Sequence, residues 1–445
     1  MSEQLLSVGL DVGTTSTQLV VSELLVENRA SGFAVPEMEI TERRILYRSP
    51  VHFTPLVEEK LVDGAEIRRI VEREYQQAGI SREQVDTGAI IITGETSRKE
   101  NARTVLGALS ELAGDFVVAT AGPDLESVLA AKGAGAVDYS AQTGKTVLHM
   151  DIGGGTSNLA LIRGGKIQQT GCLNVGGRLV KFSETGEVTY LSPVLAGLTG
   201  MQLGEIPGKE QRTALAQLLA SALEMAAGRQ ENTELLEKLT TEEAVQPWIP
   251  PRENVVVSFS GGVADCIGMD CPDLAFGDLG PELGRAIRRS GLCSGEYVLG
   301  TETIRATVIG AGCHSTQLSG STVYHQNIQF PLKNLPVVES TAISAIQSTE
   351  EEQRIVSLPG KASPSYREVA QMAEEILSLR KPPILLCLQQ DMAKALGQAL
   401  AVRLPKDAQV LCIDRIRVGE GSFLDVGAPV GSALPVVVKT LVLSK

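Results

Sequence analysis

The seven cysteines of this 445-residue chain, Cys172, Cys266, Cys271, Cys293, Cys313, Cys387 and Cys412, include no Cys-x-x-Cys pair and are odd in number. That spacing argues against a disulfide framework or zinc site, and Cys266 and Cys271, five residues apart, are too loose for a zinc knuckle and read as buried, reduced thiols. The four histidines, His52, His149, His314 and His325, form no cluster, and His149, placed in a strand just before Asp151, reads as a packed residue. Positive charge is also in short supply. Against 53 acidic residues stand 40 basic ones, for a net charge of −13, and no basic run is long enough to follow a phosphate backbone. Nucleic acid and anionic membrane are therefore not expected as partners. No apolar run reaches the ~20 residues of a membrane span. The N-terminus enters a strand pattern directly, without the charged start and apolar core of a signal peptide. These absences, with 43% hydrophobic residues and alternating strand and helix patterns, point to a cytoplasmic α/β protein of two or three domains.

What is present is a repeated turn. Asp11-Val12-Gly13-Thr14-Thr15-Ser16 and Asp151-Ile152-Gly153-Gly154-Gly155-Thr156-Ser157 each follow an apolar run and each open on an aspartate. Around them, Leu5 to Leu10 with Ser16 to Ser22, and Thr146 to Met150 with Asn158 to Ile162, read as strands entering and leaving a hairpin. A triphosphate with Mg²⁺ needs close backbone N–H groups, hydroxyl donors, and carboxylates for the metal's waters. Glycine permits the approach, and threonine and aspartate supply the rest. A third segment, Asn254 to Phe259 followed by Ser260-Gly261-Gly262-Val263-Ala264-Asp265, reads as a strand meeting a helix start through a glycine pair against which an adenine ring could lie. Two other nucleotide motifs fail on spacing. Gly144-Lys145-Thr146 precedes a strand where a P-loop must follow one, and Tyr139 stands where its first glycine belongs. Gly153-Gly154-Gly155 lies in a strand-turn-strand pattern rather than the strand-turn-helix of a dinucleotide fold.

These three segments, in this order, resemble the actin-like ATPase superfamily, which includes Hsp70 chaperones, sugar kinases and actin. Within it, the chain is similar to the ethanolamine ammonia-lyase reactivating factors. The similarity is carried by Val8 to Gln18, Ile92-Thr93-Gly94-Glu95-Thr96-Ser97-Arg98-Lys99-Glu100-Asn101, His149 to Asn158 and Phe259 to Asp265. The resemblance implies two RNase H-like lobes with a nucleotide cleft between them, and an ATP-dependent, chaperone-like factor. Such a factor releases damaged cobalamin from inactivated ethanolamine ammonia-lyase so that adenosylcobalamin can rebind. It implies ATP and Mg²⁺ as cofactors, with Gly13, Thr14, Thr15, Ser16, Gly153, Gly154, Gly155, Thr156, Gly261 and Gly262 holding the nucleotide and Asp11 and Asp151 the metal and its waters. It further implies association with a bacterial microcompartment and leaves homo-oligomerisation open. In chaperone relatives a glutamate stands before the proline of the connecting helix; here that position is Gly122, so Asp124, Glu126 or Glu95 are the candidate replacements. Rival readings are a small-molecule kinase of the same superfamily, for which no acceptor-site aspartate motif is found, a nucleotide-binding scaffold or filament protein, and an iron–sulfur activator of a radical enzyme, disfavoured by the lack of paired cysteines.

The expected organisation is a first lobe over 1–145, a second over 146–320 containing the adenosine turn, and a C-terminal α/β portion over 321–445. Asn28 to Glu42 reads as a polar excursion before a strand Ile45 to Phe53, and Asp63 to Ala78 as an amphipathic helix. Ala121 to Gly133 reads as a helix crossing between lobes, and Thr301 to Gly312, rich in small residues, leans to helix. Glu339 to Pro364 reads as a linker or loop, with strands Ile384 to Leu388 and Gln409 to Ile413 beyond it.

Overall fold

The structure is a computed structural model. It describes residues 3–13, 16–28, 38–57, 61–93, 117–120, 123–241, 248–314, 316–319, 322–340, 343, 354–416, 418, 422–429 and 433–440.

The first sheet starts from an apolar hairpin. Strands β1 (Glu3–Val12) and β2 (Ser16–Asn28) pair antiparallel from Glu3↔Val26 to Val12↔Thr17. β3 (Met38–Arg48) pairs antiparallel with β2 on its far side. Helix α1 (Gly64–Ala78) begins at Asp63, whose carboxylate accepts the Glu66 N–H, and ends at Gly79 in the left-handed region. Its Ile67, Ile70, Val71 and Tyr75 are buried at helical spacing, with Ile67, Val71 and Tyr75 packing against Val8, Leu10 and Val12. β4 (Thr87–Ile92) then returns parallel to β1, and β5 (Val117–Thr120) parallel to β4. The strand expected over Ile45 to Phe53 is split: β3 starts at Met38 and ends at Arg48, and only His52–Phe53 pairs again, with Ser16 and Thr17. Pro50 breaks the ladder. Ser49 has its hydroxyl occupied by the Leu19 N–H.

The second sheet repeats the first. β6 (Val147–Ile152), β7 (Ser157–Arg163) and β8 (Lys166–Leu173) form the antiparallel half, and β9 (Val256–Ser260) and β10 (Tyr297–Leu299) the parallel half. The orders β3-β2-β1-β4-β5 and β8-β7-β6-β9-β10 are the same walk through space. Helices α3 (Lys209–Ala226) and α5 (Gly280–Arg289) pack on its outer face with Leu148, Met150 and Ile152.

The lobes are joined by exchanged helices. Helix α2 (Pro123–Gly133), which follows β5 of the first lobe, lies on β6, β7 and β8 of the second. Helix α6 (Ala306–His314), which follows β10 of the second lobe, lies on β1, β2 and β4 of the first. Where they cross, a Cβ on Gly310 would stand 2.1 Å from Leu129 O, and one on Gly133 1.9 Å from Ala306 O. Only glycine permits that approach of two backbones. The leaning of Thr301 to Gly312 to helix is thus borne out from Ala306 onward.

A third sheet of eight strands occupies the C-terminal part. Its centre is parallel: β13 (Leu332–Glu339), β14 (Ile355–Leu358), β15 (Ile384–Leu388) and β16 (Val410–Asp414). β12 (Tyr324–Gln326) closes one edge, and β17 (Ser422–Val426), β18 (Pro435–Thr440) and β11 (Thr316–Leu318) the other, all antiparallel. Helices α7 (Tyr366–Leu379) and α8 (Ala393–Ala401) cover one face. The segment Glu339 to Pro364 is not all loop, because Ile355 to Leu358 is a wholly buried strand within this sheet. The sheet also takes in Thr316–Leu318 from before residue 321. It docks on the first lobe: Thr316 and Thr87 share a hydroxyl hydrogen bond of 2.9 Å, and Val437 packs with Ala89, Ile91 and Ala311.

Candidate nucleotide site

The two hairpins close in the same way. In the first, the ladder ends at Val12↔Thr17 and the Gly13 N–H donates to Ser16 O at 2.9 Å. In the second, it ends at Ile152↔Ser157 and the Gly153 N–H donates to Thr156 O at 2.9 Å. The expected turns are therefore hairpin tips of equal length. Thr14, Thr15 and Glu95 lie outside the described residues. Behind the second tip, the N–H groups of Gly177 and Arg178 donate to the carbonyls of Gly153 and Gly154 at 3.0 and 2.6 Å. With those carbonyls tied back, the N–H groups of Gly154, Gly155 and Thr156 have no acceptor among the described residues. Consecutive unpaired amides in a tight turn make an anion cradle. The first tip is braced differently, by Thr54, whose hydroxyl donates to Gly13 O at 2.7 Å.

Asp11 and Asp151 stand at equivalent places on β1 and β6, and the charge of Asp151 is felt at Asp11. Thr93 donates to Asp11 Oδ1 at 2.9 Å. Ser260 donates to Asp151 Oδ1 at 2.5 Å, and Thr307 of α6 to Oδ2 at 3.4 Å. Burial pushes the Asp11 carboxyl up to about 7, against the Thr93 hydrogen bond, and the charge of Asp151 raises it further. Burial likewise raises Asp151 to about 6, with the Ser260 and Thr307 bonds opposing. No basic side chain forms a salt bridge with either carboxylate among the described residues. Two carboxylates whose charges interact, Asp11 partly exposed and Asp151 buried, without a counter-ion among the described residues, suit a divalent cation.

The remaining donor set fits a hydrated magnesium ion rather than a protein cage. No group of three or more His, Cys, Asp or Glu gathers at one point among the described residues, and Mg²⁺ keeps several waters when held by one or two carboxylates and phosphate oxygens. Opposite each aspartate in register stands an amide, Gln18 facing Asp11 and Asn158 facing Asp151. Their nitrogens are committed, Gln18 Nε2 to Ile304 O at 3.2 Å and Asn158 Nδ2 to Glu126 Oε2 at 3.0 Å. Their oxygens are buried with no partner, which makes them acceptors in waiting beside each carboxylate. Glu126, on α2 and 6% exposed, is thereby held against the second hairpin on the face that carries Asp151. Asp124 is bonded to Thr170 instead.

The adenosine turn abuts the phosphate strand. Gly261 has φ +86°, and a Cβ there would stand 2.3 Å from Ile152 O, so no other residue fits. Its N–H donates to Thr303 O at 3.0 Å, and Gly262 opens the short helix α4 (Gly262–Gly268). Sequence reasoning gave Thr93, Ser260 and Thr307 no part in holding the aspartates, and missed the Gly176-Gly177-Arg178 turn, anchored by an Arg178–Asp278 salt bridge of 2.9 Å. Only the glycine pair, set between strand patterns, carried a readable signal.

Two RNase H-like sheets of the same strand order, exchanged helices, and matching Asp-x-Gly hairpins define an actin-like ATPase fold, with the two hairpins as its candidate nucleotide site. Comparison with known proteins narrows the class. The family described as ethanolamine utilisation protein EutA matches residues 3–444, and the chain belongs to that family. Two curated relatives, each described as ethanolamine ammonia-lyase reactivase EutA, come from Salmonella typhimurium and Escherichia coli K12. Each is 37% identical over 475 residues, covering 99% of this chain and 99% of the relative. Among solved structures, the chain is similar to the ethanolamine utilization protein EutJ from Carboxydothermus hydrogenoformans. That match has 18% identity and a TM-score of 0.34, covering 69% of this chain and 88% of that one. It is also similar to the Aquifex aeolicus member of the Ppx/GppA family, at 12% identity and TM-score 0.42, covering 69% and 97%.

Proposed function

We propose that this chain binds ATP with Mg²⁺ between its lobes and uses the nucleotide to reactivate an ethanolamine ammonia-lyase, opening the inactivated enzyme so that damaged cobalamin leaves and adenosylcobalamin enters. Membership of the EutA family and the reactivase relatives support the client. The observation that carries the nucleotide half is the pair of desolvated carboxylates on matching hairpins, with no salt-bridge partner among the described residues.

In this reading the amides of Gly154, Gly155 and Thr156 receive phosphate oxygens on the second lobe, and Gly13, Thr14, Thr15 and Ser16 do so on the first. Asp11 and Asp151 hold the metal's waters, and the oxygens of Gln18 and Asn158 accept hydrogen bonds from them. Bound magnesium supplies positive charge against the phosphates and lowers both carboxyl pKa values. The bare backbone at Gly261 and Gly262 faces adenosine. Glu126, held by Asn158 beside Asp151, is the carboxylate proposed to orient the attacking water, with Glu95 the alternative. Nucleotide exchange shifts the lobe angle because the two lobes contact opposite sides of one ligand. Among the described residues no helix is long and apolar enough to cross a membrane. The reading also includes action inside a bacterial microcompartment.

The test is calorimetric binding of a non-hydrolysable ATP analogue with Mg²⁺ to the wild type and to Asp11→Ala. Binding to the wild type that the variant loses is the expected result. A wild type that does not bind overturns the nucleotide half of the proposal.

A further inference from the structure

His149 is fully buried in the middle of the second sheet, and nothing in the phosphate chemistry calls for an imidazole there. It lies two residues before Asp151 on β6, so both side chains leave the same face of the strand. The parallel register with β9 sets Ser258 beside His149 and Ser260 beside Asp151. His149 Nδ1 lies 3.1 Å from Ser258 Oγ, and Nε2 lies 3.0 Å from Ser260 Oγ. The Ser260 hydroxyl in turn meets Asp151 Oδ1 at 2.5 Å.

Hydrogen-bond counting fixes the direction of this chain. A serine hydroxyl has one proton. With that proton given to the Asp151 carboxylate, Ser260 can only accept from the ring, so His149 carries its hydrogen on Nε2. Nδ1 is then an acceptor and takes the Ser258 proton. The sequence of donors runs Ser258, His149, Ser260, Asp151, each pointing at the next. Burial keeps the ring neutral, holding its pKa down to about 3, so the chain orients without adding charge.

Remove the Nε2 hydrogen, and the Ser260 hydroxyl becomes a rotor free to turn its proton away from Asp151. We propose that His149 is a positioning residue of the nucleotide–metal site, acting through Ser260 to hold one orientation of the Asp151 carboxylate. This inference rests on the Mg²⁺–ATP reading above. Partners that orient a metal-holding group typically cost 10–100-fold in metal affinity when removed.

The experiment measures Mn²⁺ affinity of the ATP-analogue complex by electron paramagnetic resonance, together with thermal melts. The proteins are the full-length wild type, His149→Phe, Ser260→Ala, Ser260→Thr and the His149→Phe/Ser260→Ala double variant. The expected result is a loss of about tenfold in Mn²⁺ affinity for each single alanine or phenylalanine variant. The double variant should be little worse than either single one, because one chain is being cut twice. Ser260→Thr, which keeps the hydroxyl, should recover most of the Ser260→Ala loss. If His149→Phe melts below the assay temperature, Ser258→Ala cuts the same chain at its far end and should weaken Mn²⁺ binding several-fold. Wild-type Mn²⁺ affinity in a folded variant of His149, or of Ser258 in its place, overturns this inference alone. A wild type that binds no Mn²⁺ with the analogue overturns the nucleotide reading and this inference with it.

Discussion

Asp11 and Asp151 set a cost that only a ligand relieves. Both carboxyls are raised by burial, to about 7 and about 6, so the folded chain favours their protonated forms. A raised carboxyl pKa gives stability that is present below the unfolded value, near 3.9, and is lost as pH climbs through the folded one. At pH 8, without nucleotide, the protein carries the whole penalty. Asp11→Asn should therefore raise the melting temperature of the nucleotide-free protein at pH 8 and change it little at pH 4. A shift of about three units sets an upper bound of ~4 kcal/mol. Water reaching the part-exposed Asp11 reduces it. His149 and His314, both held down to about 3, pull the other way in acid, losing stability as pH falls below about 6.5. They are common to both proteins, so the difference between variant and wild type isolates Asp11. The same variant should lose the melting-temperature rise that Mg²⁺ and ATP give the wild type, ~2.7 kcal/mol at a hundredfold excess over Kd. An Asp11→Asn protein no more stable than wild type at pH 8 would mean that the carboxylate is already compensated. Asp151→Asn should abolish hydrolysis with the fold retained, read by phosphate release and circular dichroism.

Among the elements, the crossing of α2 and α6 brings two helix backbones together at glycines. Gly310→Val would drive a branched side chain into Leu129 O, 2.1 Å from the first carbon alone. Overpacking of this kind typically costs 1–3 kcal/mol, and urea unfolding should show at least that. Gly261→Ala combines a left-handed φ with a carbonyl 2.3 Å away. It should cost ~1–3 kcal/mol in strain and displace the turn from the nucleotide, read by calorimetry. These elements were legible to different degrees, for physical reasons. The hairpins announced themselves because aspartate, glycine and threonine are turn residues flanked by apolar strands. The crossing helices showed as runs of small residues. Ile355 to Leu358 was missed because a strand buried on both faces has no alternation to read, and the polar stretch before it disguised it. Helix α7 was missed although Ser365 and Glu368 form its capping box. Thr93 and Ser260 stood inside segments singled out in the sequence, but their bonds to the aspartates, like that of Thr307, had no local signal, since each reaches its aspartate from an element distant in sequence.

For the whole molecule, the duplicated strand order was only partly visible beforehand, as two turns of the same residue types; that the two sheets follow one path required the pairing of β1 with β4 and of β6 with β9. The third sheet was legible as α/β material but not as a body docked on the first lobe, because its contacts, Thr87 with Thr316 and Val437 with Ala89, join residues far apart in the chain. That docking predicts how closure is distributed. If nucleotide draws the lobes together, the first lobe and the third sheet move as one body, and the second lobe moves against them through the α2–α6 crossing. Hydrogen exchange with and without Mg²⁺ and ATP should then show new protection at Gly13–Ser16, at Gly153–Thr156 and around Gly261. The strands Ile355–Leu358 and Ile384–Leu388, already wholly buried, should exchange at the same rate in both states. Nucleotide-dependent exchange in those strands would mean that the signal reaches the third sheet directly, and the rigid attachment to the first lobe would have to be abandoned.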